Sequence, residues 1–486
     1  MELKIVEPNA SPVSEVRRAY DRLREAARQD PLPSAADRQD RLDRLARLLR
    51  RNRDDIAQAI SEDFGGRSRH ETMLADILPT LETVTHARRH VAAWMRPRAV
   101  SPGWMFRPAR AHVQPQPLGV VGIIAPWNYP VNLVFAPLAG ALAAGNRALV
   151  KPSELTPRTQ DLVARLVRET FTPDEVQAVQ GGPAVARELT ELPLDHLFFT
   201  GSTRVGREVA QAAAKNLTPV TLELGGKSPA LIHPDYPLSR AADHIVAGKL
   251  FNAGQTCVAP DYVLVESGKE EPLLAELRRA IQERYPNLAT NPDYSSIATR
   301  AGFERLRAVL ADAVDRGARA VTIVPGADID PSSRRFPPTV ILGATAGMRV
   351  MEEEIFGPLL PLVGYRTLSD AIASINAREK PLAFYYFDTD EKRARDVLDR
   401  TSSGGACVND TLLHFAQENL PFGGVGESGQ GAYHGQAGFD TFSHLRGVFF
   451  PSGLSPVAKL VAPPFGRLLD RALDTFIGGH KRKPGE

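Results

Sequence analysis

Cysteine is almost absent: Cys257 and Cys407 are the two in 486 residues. Two cysteines exclude a disulfide framework and a Cys-rich zinc site, and no metal centre is expected; one free, functional thiol in a reducing compartment stays open. Charge of one sign is missing too. The 59 Lys and Arg nearly cancel 57 Asp and Glu, for a net +2. The chain as a whole therefore offers no field for capturing nucleic acid, and with 43% hydrophobic residues it is not of a disordered composition. Long apolar runs are lacking as well. Pro, Gly or charge interrupts each one well short of the ~20 residues that cross a bilayer. The start, MELKIVEPNASPVSE, has no basic segment ahead of an apolar core, so no signal peptide is expected and the cytoplasm is the expected location. The tail PVAKLVAPPFGRLLDRALDTFIGG carries Lys459, Arg467, Asp470, Arg471 and Asp474 and does not span. It is expected to pack on its own protein or a partner subunit, with an amphipathic helix on a membrane surface as the alternative.

What is present is organised in three textures. The first ~90 residues read as helices, Ser14–Arg28 and Asp37–Asp63 being charged with apolar residues three and four apart. Residues 95–116 are rich in Pro and Arg and read as a connector or protruding hairpin. From Leu118 strands and helices alternate: LGVVGIIA, RALVK, VQAVQ, DHLFFT and TPVTLEL are strands, and helices follow at 131–145, 156–170 (Thr156 as N-cap, Pro157 at the first position), 183–191 and after GSTR. This pattern predicts a parallel sheet covered on both faces, with ligands beyond the carboxyl ends of its strands. A second alternating stretch, about 225–410, contains YVLVE, AVTIV, TVIL, LLPLVGY, LAFYYF and GACVND and predicts a second α/β domain. The Gly-rich stretch FGGVGESGQGAYHG follows, with no repeat at a fixed period.

Several residues could carry chemistry. Cys257 lies in FNAGQTCVAP; a lone Cys is usually an inert small hydrophobe, but its flank Gly254-Gln255-Thr256 is polar and turn-like. Cys407, inside GACVND, reads as packing. Glu223 ends a strand just before two glycines, either as a rim salt bridge or as a general base whose pKa burial raises. Asn128, between the prolines of PWNYP, either makes an Asx turn or donates to an oxyanion. Lys151 and Glu154 in KPSE follow a strand and could meet ribose hydroxyls. FTGSTRVG closes a strand and opens a helix, offering N–H groups to a phosphate.

The motifs PWNYP, KPSE, FTGSTRVG, LELGGKSP, GQTC and EEIFGP follow one another in the order and rough spacing of aldehyde dehydrogenases, and the chain resembles that family from about residue 15 to 450. FGGRSRHET, GQTCVAPDY, LPFGGVGESGQGAYHG and FDTFSH look like its class 3 branch. FGGRSRHET with the Arg-rich segment before Gln114 looks most like that branch's bacterial coniferyl aldehyde enzymes. The resemblance implies an α/β fold of two parallel-sheet domains plus a small oligomerisation sheet. The dinucleotide-binding domain would be 1–93 with 118–224, the catalytic domain 225–430, the oligomerisation segments 94–117 and 431–450, and the tail 451–486. It implies NAD, with NADP possible, a small-molecule aldehyde as substrate, and a homodimer. Cys257 would be the nucleophile, Glu223 the base that activates the hydrolytic water, and Asn128 an oxyanion donor. The cofactor would be held by Trp127, Lys151, Glu154, Gly201, Ser202, Gly206, Leu224, Glu354 and Phe356. Fatty aldehyde members that anchor in membranes carry an apolar C-terminal helix, which this tail lacks. Fatty or other aliphatic aldehydes are the rival substrates. A CoA-acylating enzyme would lack the Glu at 223, and a purely structural protein would not require Cys257, Glu223 and Asn128 together.

Overall fold

The computed structural model describes residues 14–288, 290–324, 329–453 and 462–477. The N-terminal segment examined for a signal peptide lies outside the described residues through residue 13, and so does Lys459 of the tail. One compact unit comprises the chain up to Trp94 and Pro117–Ser443, and a smaller one comprises Met95–Gln116 and the chain from His444 onward.

In the large unit the five strands expected after Leu118 form one parallel sheet. Its order is Val176–Ala178, Arg147–Lys151, Val120–Ile124, His196–Thr200 and Val220–Glu223. Fully buried parallel strands are continuous apolar runs, which is why they could be read directly. The chain winds outward from Val120–Ile124 in one direction and then in the other, so a crevice opens beyond Ile124 and Thr200, where such sheets bind ligands. A sixth, antiparallel strand, Gly429–Gln430, closes the edge against Glu223. Helices Glu15–Gln29, Pro183–Thr190 and Thr203–Ala214 pack an apolar cluster around Leu23, Val120, Leu197 and Val209. Helix Asn132–Ala144 is buried along nearly its whole length against the sheet and against helices Ala35–Arg51 and Leu78–Trp94. It ends at Gly145, whose φ of 93° glycine adopts without strain.

The second sheet has seven strands where the sequence suggested six. Its order is Arg319–Thr322, Thr339–Leu342, Leu359–Tyr365, Tyr262–Glu266, Pro229–Ile232, Ala383–Phe387 and Gly405–Val408, parallel except for the first pair. The unforeseen strand Pro229–Ile232 is central but only four residues long, and it opens with a proline, which is tolerated at a first strand position.

Two readings need correction. The segment 37–63 is two helices, Ala35–Arg51 and Arg53–Phe64, divided at Asn52. Thr156 makes no side-chain cap for helix Pro157–Thr170; the Asp63 carboxylate accepts the Arg158 and Thr159 N–H groups at 3.0 and 2.9 Å instead. The small unit takes up the chain again at His444. Helix Gly435–Thr441 packs on Asn132–Ala144, and the Phe442 ring lies against Gly140.

In the small unit, Arg98–Val100 pairs antiparallel with Arg110–Pro117, giving the hairpin expected at 95–116. Strand Ser443–Phe450 joins it as the third. No helix among the described residues is long and apolar enough to cross a membrane.

Candidate active site

Strand Val120–Ile124 delivers PWNYP into the crevice. Asn128 is buried, and its side chain makes no Asx turn. Nδ2 donates to the Gln255 carbonyl at 3.1 Å, tying this loop to the one that carries Cys257. The Asn128 carbonyl accepts from Arg67 Nη1 at 3.0 Å and from Asn252 Nδ2 at 3.2 Å. The prolines are thus not the only constraint. Arg67 lies 3.2 Å from Asp76, both side chains fully inaccessible. Asp76 accepts the Val131 and Asn132 N–H groups at 3.1 and 3.0 Å, at the start of the next helix. The Arg67 guanidinium also covers the Tyr129 ring at 4.9 Å.

The chain reaches Cys257 through a tight turn. After helix Leu238–Leu250, Asn252, Ala253 and Gly254 all have positive φ, 52°, 51° and 78°. Such a run is strained for the two non-glycine residues and persists only when surrounding bonds hold it. They do. Gln255 Nε2 donates to the Asn252 and Ser296 carbonyls, each at 3.0 Å, and Oε1 accepts the Ala298 N–H at 2.9 Å. Glu71 accepts the Asn252 N–H at 2.9 Å. The polar flank noted in the sequence is thus consumed in building the turn, and the sulfur faces an apolar cavity. Burial, helped by Glu354 and Glu223, pushes the Cys257 thiol up to about 12. Cys407 sits apart, in edge strand Gly405–Val408.

Glu223 ends its strand opposite Thr200 and Gly429. It makes no rim salt bridge: the residue is 3% exposed, and neither carboxyl oxygen has a hydrogen-bond partner. Burial raises its pKa well above the ordinary carboxylate range. Glu223 and Cys257 line the same cavity of about 320 Å³, whose walls include Tyr129, Phe251, Phe415 and Tyr433.

The residues expected to hold a cofactor ring the other side of the strand ends. Lys151, 1% exposed, ends its strand beside Ile124 and places Nζ 2.7 Å from Glu154. Ser202 caps helix Thr203–Ala214, accepting the Val205 N–H at 3.4 Å. Gly201 and Gly206 leave no room for a Cβ: one would lie 2.5 Å from the Phe199 ring at Gly201 and 2.7 Å from Leu224 at Gly206. The helix N-terminus is thereby kept close to the sheet, and its N–H groups are available to an anion. The Trp127 ring meets Phe356 at 5.4 Å, nearly edge-on. The Glu354 carboxyl lies over Gly225, where any Cβ would overlap it, and burial together with Asp261 raises its pKa to about 8. Arg305 holds its backbone, donating to the Glu354 carbonyl at 3.1 Å. This set of a buried cation, a carboxylate, a capped helix start and an aromatic edge fits a dinucleotide. Sequence reasoning does not find Arg67, Glu71 and Asp76, and it finds Gln255 only as part of a polar flank. Arg67 and Glu71 belong to FGGRSRHET and Gln255 to GQTC, but nothing local shows that they meet.

Residues 2–448 match the aldehyde dehydrogenase family. A *Pseudomonas aeruginosa* protein described as a probable coniferyl aldehyde dehydrogenase is 46% identical over 97% of this chain and 98% of its own length. The *Staphylococcus aureus* AldH structure, a substrate-bound state, superposes with a TM-score of 0.88 at 36% identity, covering 96% of this chain and all of that one. An NAD-dependent aldehyde dehydrogenase from *Sinorhizobium meliloti* gives 0.82 at 28% identity, covering 94% and 90%. With its two α/β sheets and the site between their strand ends, the chain belongs to the aldehyde dehydrogenase family.

Proposed function

We propose that this protein oxidises an aryl-alkenyl aldehyde of the coniferyl type to its carboxylic acid, with NAD as cofactor. The observation that carries this reading is that Cys257 and the unpartnered Glu223 carboxyl lie in one and the same apolar cavity. Its aromatic walls suit a flat, conjugated substrate. Ionised Glu223 takes the Cys257 thiol proton and passes it to solvent, and Cys257 Sγ attacks the aldehyde carbon. The resulting oxyanion is held by the Asn128 side-chain amide and the Cys257 N–H, dipoles fixed in advance of the reaction. NAD supplies the hydride acceptor. Loss of hydride from the former aldehyde carbon leaves a thioester on Cys257, splitting one difficult oxidation into two steps. Glu223, once ionised, takes a proton from water. Attack of that water on the thioester releases the acid and returns the thiol.

Lys151 and Glu154 bind the adenosine ribose, Ser202 with Gly201 and Gly206 the pyrophosphate, and Glu354 with Phe356 the nicotinamide ribose; Trp127 and Leu224 complete the walls. The enzyme works in the cytoplasm, where the thiol stays reduced. It forms a homodimer through strand Ser443–Phe450, which lies at the edge of its three-stranded sheet. A panel of aromatic and aliphatic aldehydes, assayed with NAD and NADP in parallel, tests the reading. Coniferyl-type aldehydes with NAD should give the highest kcat/KM. A clear preference for saturated fatty aldehydes would overturn the substrate assignment.

A further inference from the structure

One stretch of chain, residues 67–76, grips both loops of the site. Its short helix Arg69–Thr72 runs into a π-helical turn, Met73–Ile77, a rare form that gathers at functional sites. Arg67, ahead of the helix, donates to the Asn128 carbonyl, and Asp76, in the wide turn, takes the Val131 and Asn132 N–H groups. Both act on the loop that carries Asn128. Glu71 lies between them and reaches the other loop. Its Oε1 accepts the Asn252 N–H at 2.9 Å, at the first left-handed residue of the turn that leads to Cys257, and its Oε2 accepts from the Ser295 hydroxyl. The residue is 6% exposed. A shift of the turn away from Glu71 would leave a buried carboxyl oxygen without its donor, which is costly, so the turn is held where it is.

Asn252 is where the two loops are tied together. Its Nδ2 donates to the Asn128 carbonyl at 3.2 Å and to the Gln255 carbonyl at 3.3 Å, and the Gln255 carbonyl also accepts from Asn128 Nδ2 at 3.1 Å. Asn128 is therefore held, at its backbone and at its side chain, by groups whose position depends on Asn252, and Glu71 pins Asn252 from outside both loops. We propose that Glu71 is a positioning residue: through Asn252 it sets where the Asn128 side-chain amide lies relative to Cys257, and so how well that amide meets the developing oxyanion. The inference rests on the reading of Asn128 as an oxyanion donor. A donor of this kind acts because its place is fixed before the reaction, and misplacement by ~1 Å can cost ~100-fold in rate.

The test is a double-mutant cycle on the full chain. Glu71→Ala should lower kcat by ~10–100-fold, with NAD affinity and the KM for aldehyde near wild type. Glu71→Gln keeps an oxygen for the Asn252 N–H and can donate to the Ser295 hydroxyl, so it should restore most of kcat. If Glu71→Ala does not fold, Glu71→Asp, which draws the carboxylate back from Asn252, takes its place in the cycle. In an Asn128→Ala background the same substitution should cost less than ~3-fold, because residues that act as one unit are not additive. Equal fold losses in both backgrounds would overturn the proposal. So would wild-type kcat in a Glu71→Ala protein of lowered melting temperature, since Glu71 would then serve stability alone, and so would a Glu71→Gln protein as slow as Glu71→Ala. Wild-type kcat in Asn128→Ala would overturn the oxyanion reading and this inference with it, whereas a slow Asn128→Ala with equal losses in both backgrounds would overturn this inference alone.

Discussion

Arg67 touches neither the cavity nor a strand end, yet its replacement should damage both stability and rate. Arg67→Met keeps much of the volume and removes the charge. Asp76, inaccessible and 3.2 Å away, then faces a bare buried charge or must take a proton. Breaking a buried pair from one side costs about 3–5 kcal/mol. The bond to the Asn128 carbonyl at 3.0 Å is lost in the same change, so the two losses are not simply added. Burial already raises the Asp76 pKa in the folded protein while Arg67 lowers it, and without Arg67 it rises further. An acid whose folded pKa lies above its unfolded value loses stability as pH rises from the unfolded value through the folded one. The deficit of Arg67→Met should therefore be smallest in acid and grow toward neutral pH. Asp76→Asn added to Arg67→Met retains an oxygen for the Val131 and Asn132 N–H groups and removes the charge; it should recover about 2 kcal/mol. Thermal unfolding across a pH series, with kcat measured beside it, reads both effects. An Arg67→Met protein within ~0.5 kcal/mol of wild type would refute the reasoning, as would a double variant no more stable than the single one.

Removing one oxyanion donor typically costs ~10²–10³ in rate, about 2.7–4 kcal/mol. Asn128→Ala should lower kcat by that order with little change in NAD affinity, and near wild-type kcat would refute the assignment. Because burial raises the Glu223 pKa, its base form grows in only as pH rises, so kcat should climb with pH above the ordinary carboxylate range. Glu223→Gln should remove that limb and give a burst of NADH followed by slow turnover; burst and steady rate falling together would assign Glu223 another role. Glu154, 2.7 Å from Lys151, would face the extra phosphate of NADP. Two like charges ~4 Å apart repel by about 4 kcal/mol at an effective dielectric of 20, and Lys151 offsets much of this. NAD should be favoured by about tenfold, and Glu154→Gln should narrow the kcat/KM ratio; an unmoved ratio would place Glu154 away from the ribose.

The sequence was legible where the physics is local. Val120–Ile124 and His196–Thr200 are buried on both faces and so read as apolar runs, and the polar residues just past their ends mark the crevice. It was silent where partners are far apart along the chain. Asp63 caps a helix that begins almost a hundred residues later. Arg67 and Asp76 gain their role only when Asn128 and Val131 are folded against them. Glu223 sits at a recognisable strand end, but the absence of any partner for its carboxyl depends on walls drawn from several segments. The flank of Cys257 reads as polar and turn-like, but only the fold shows the Gln255 side chain spent on holding the loop.

The central claim is that Cys257 carries the aldehyde through covalent oxidation. It is tested most directly by Cys257→Ser, assayed for NADH formation from aldehyde and NAD, with NAD binding followed by fluorescence and Cys407→Ser as the companion. The account predicts no turnover with NAD binding retained in Cys257→Ser, and near wild-type turnover in Cys407→Ser. Normal turnover by Cys257→Ser, or loss of chemistry only in Cys407→Ser, would contradict it.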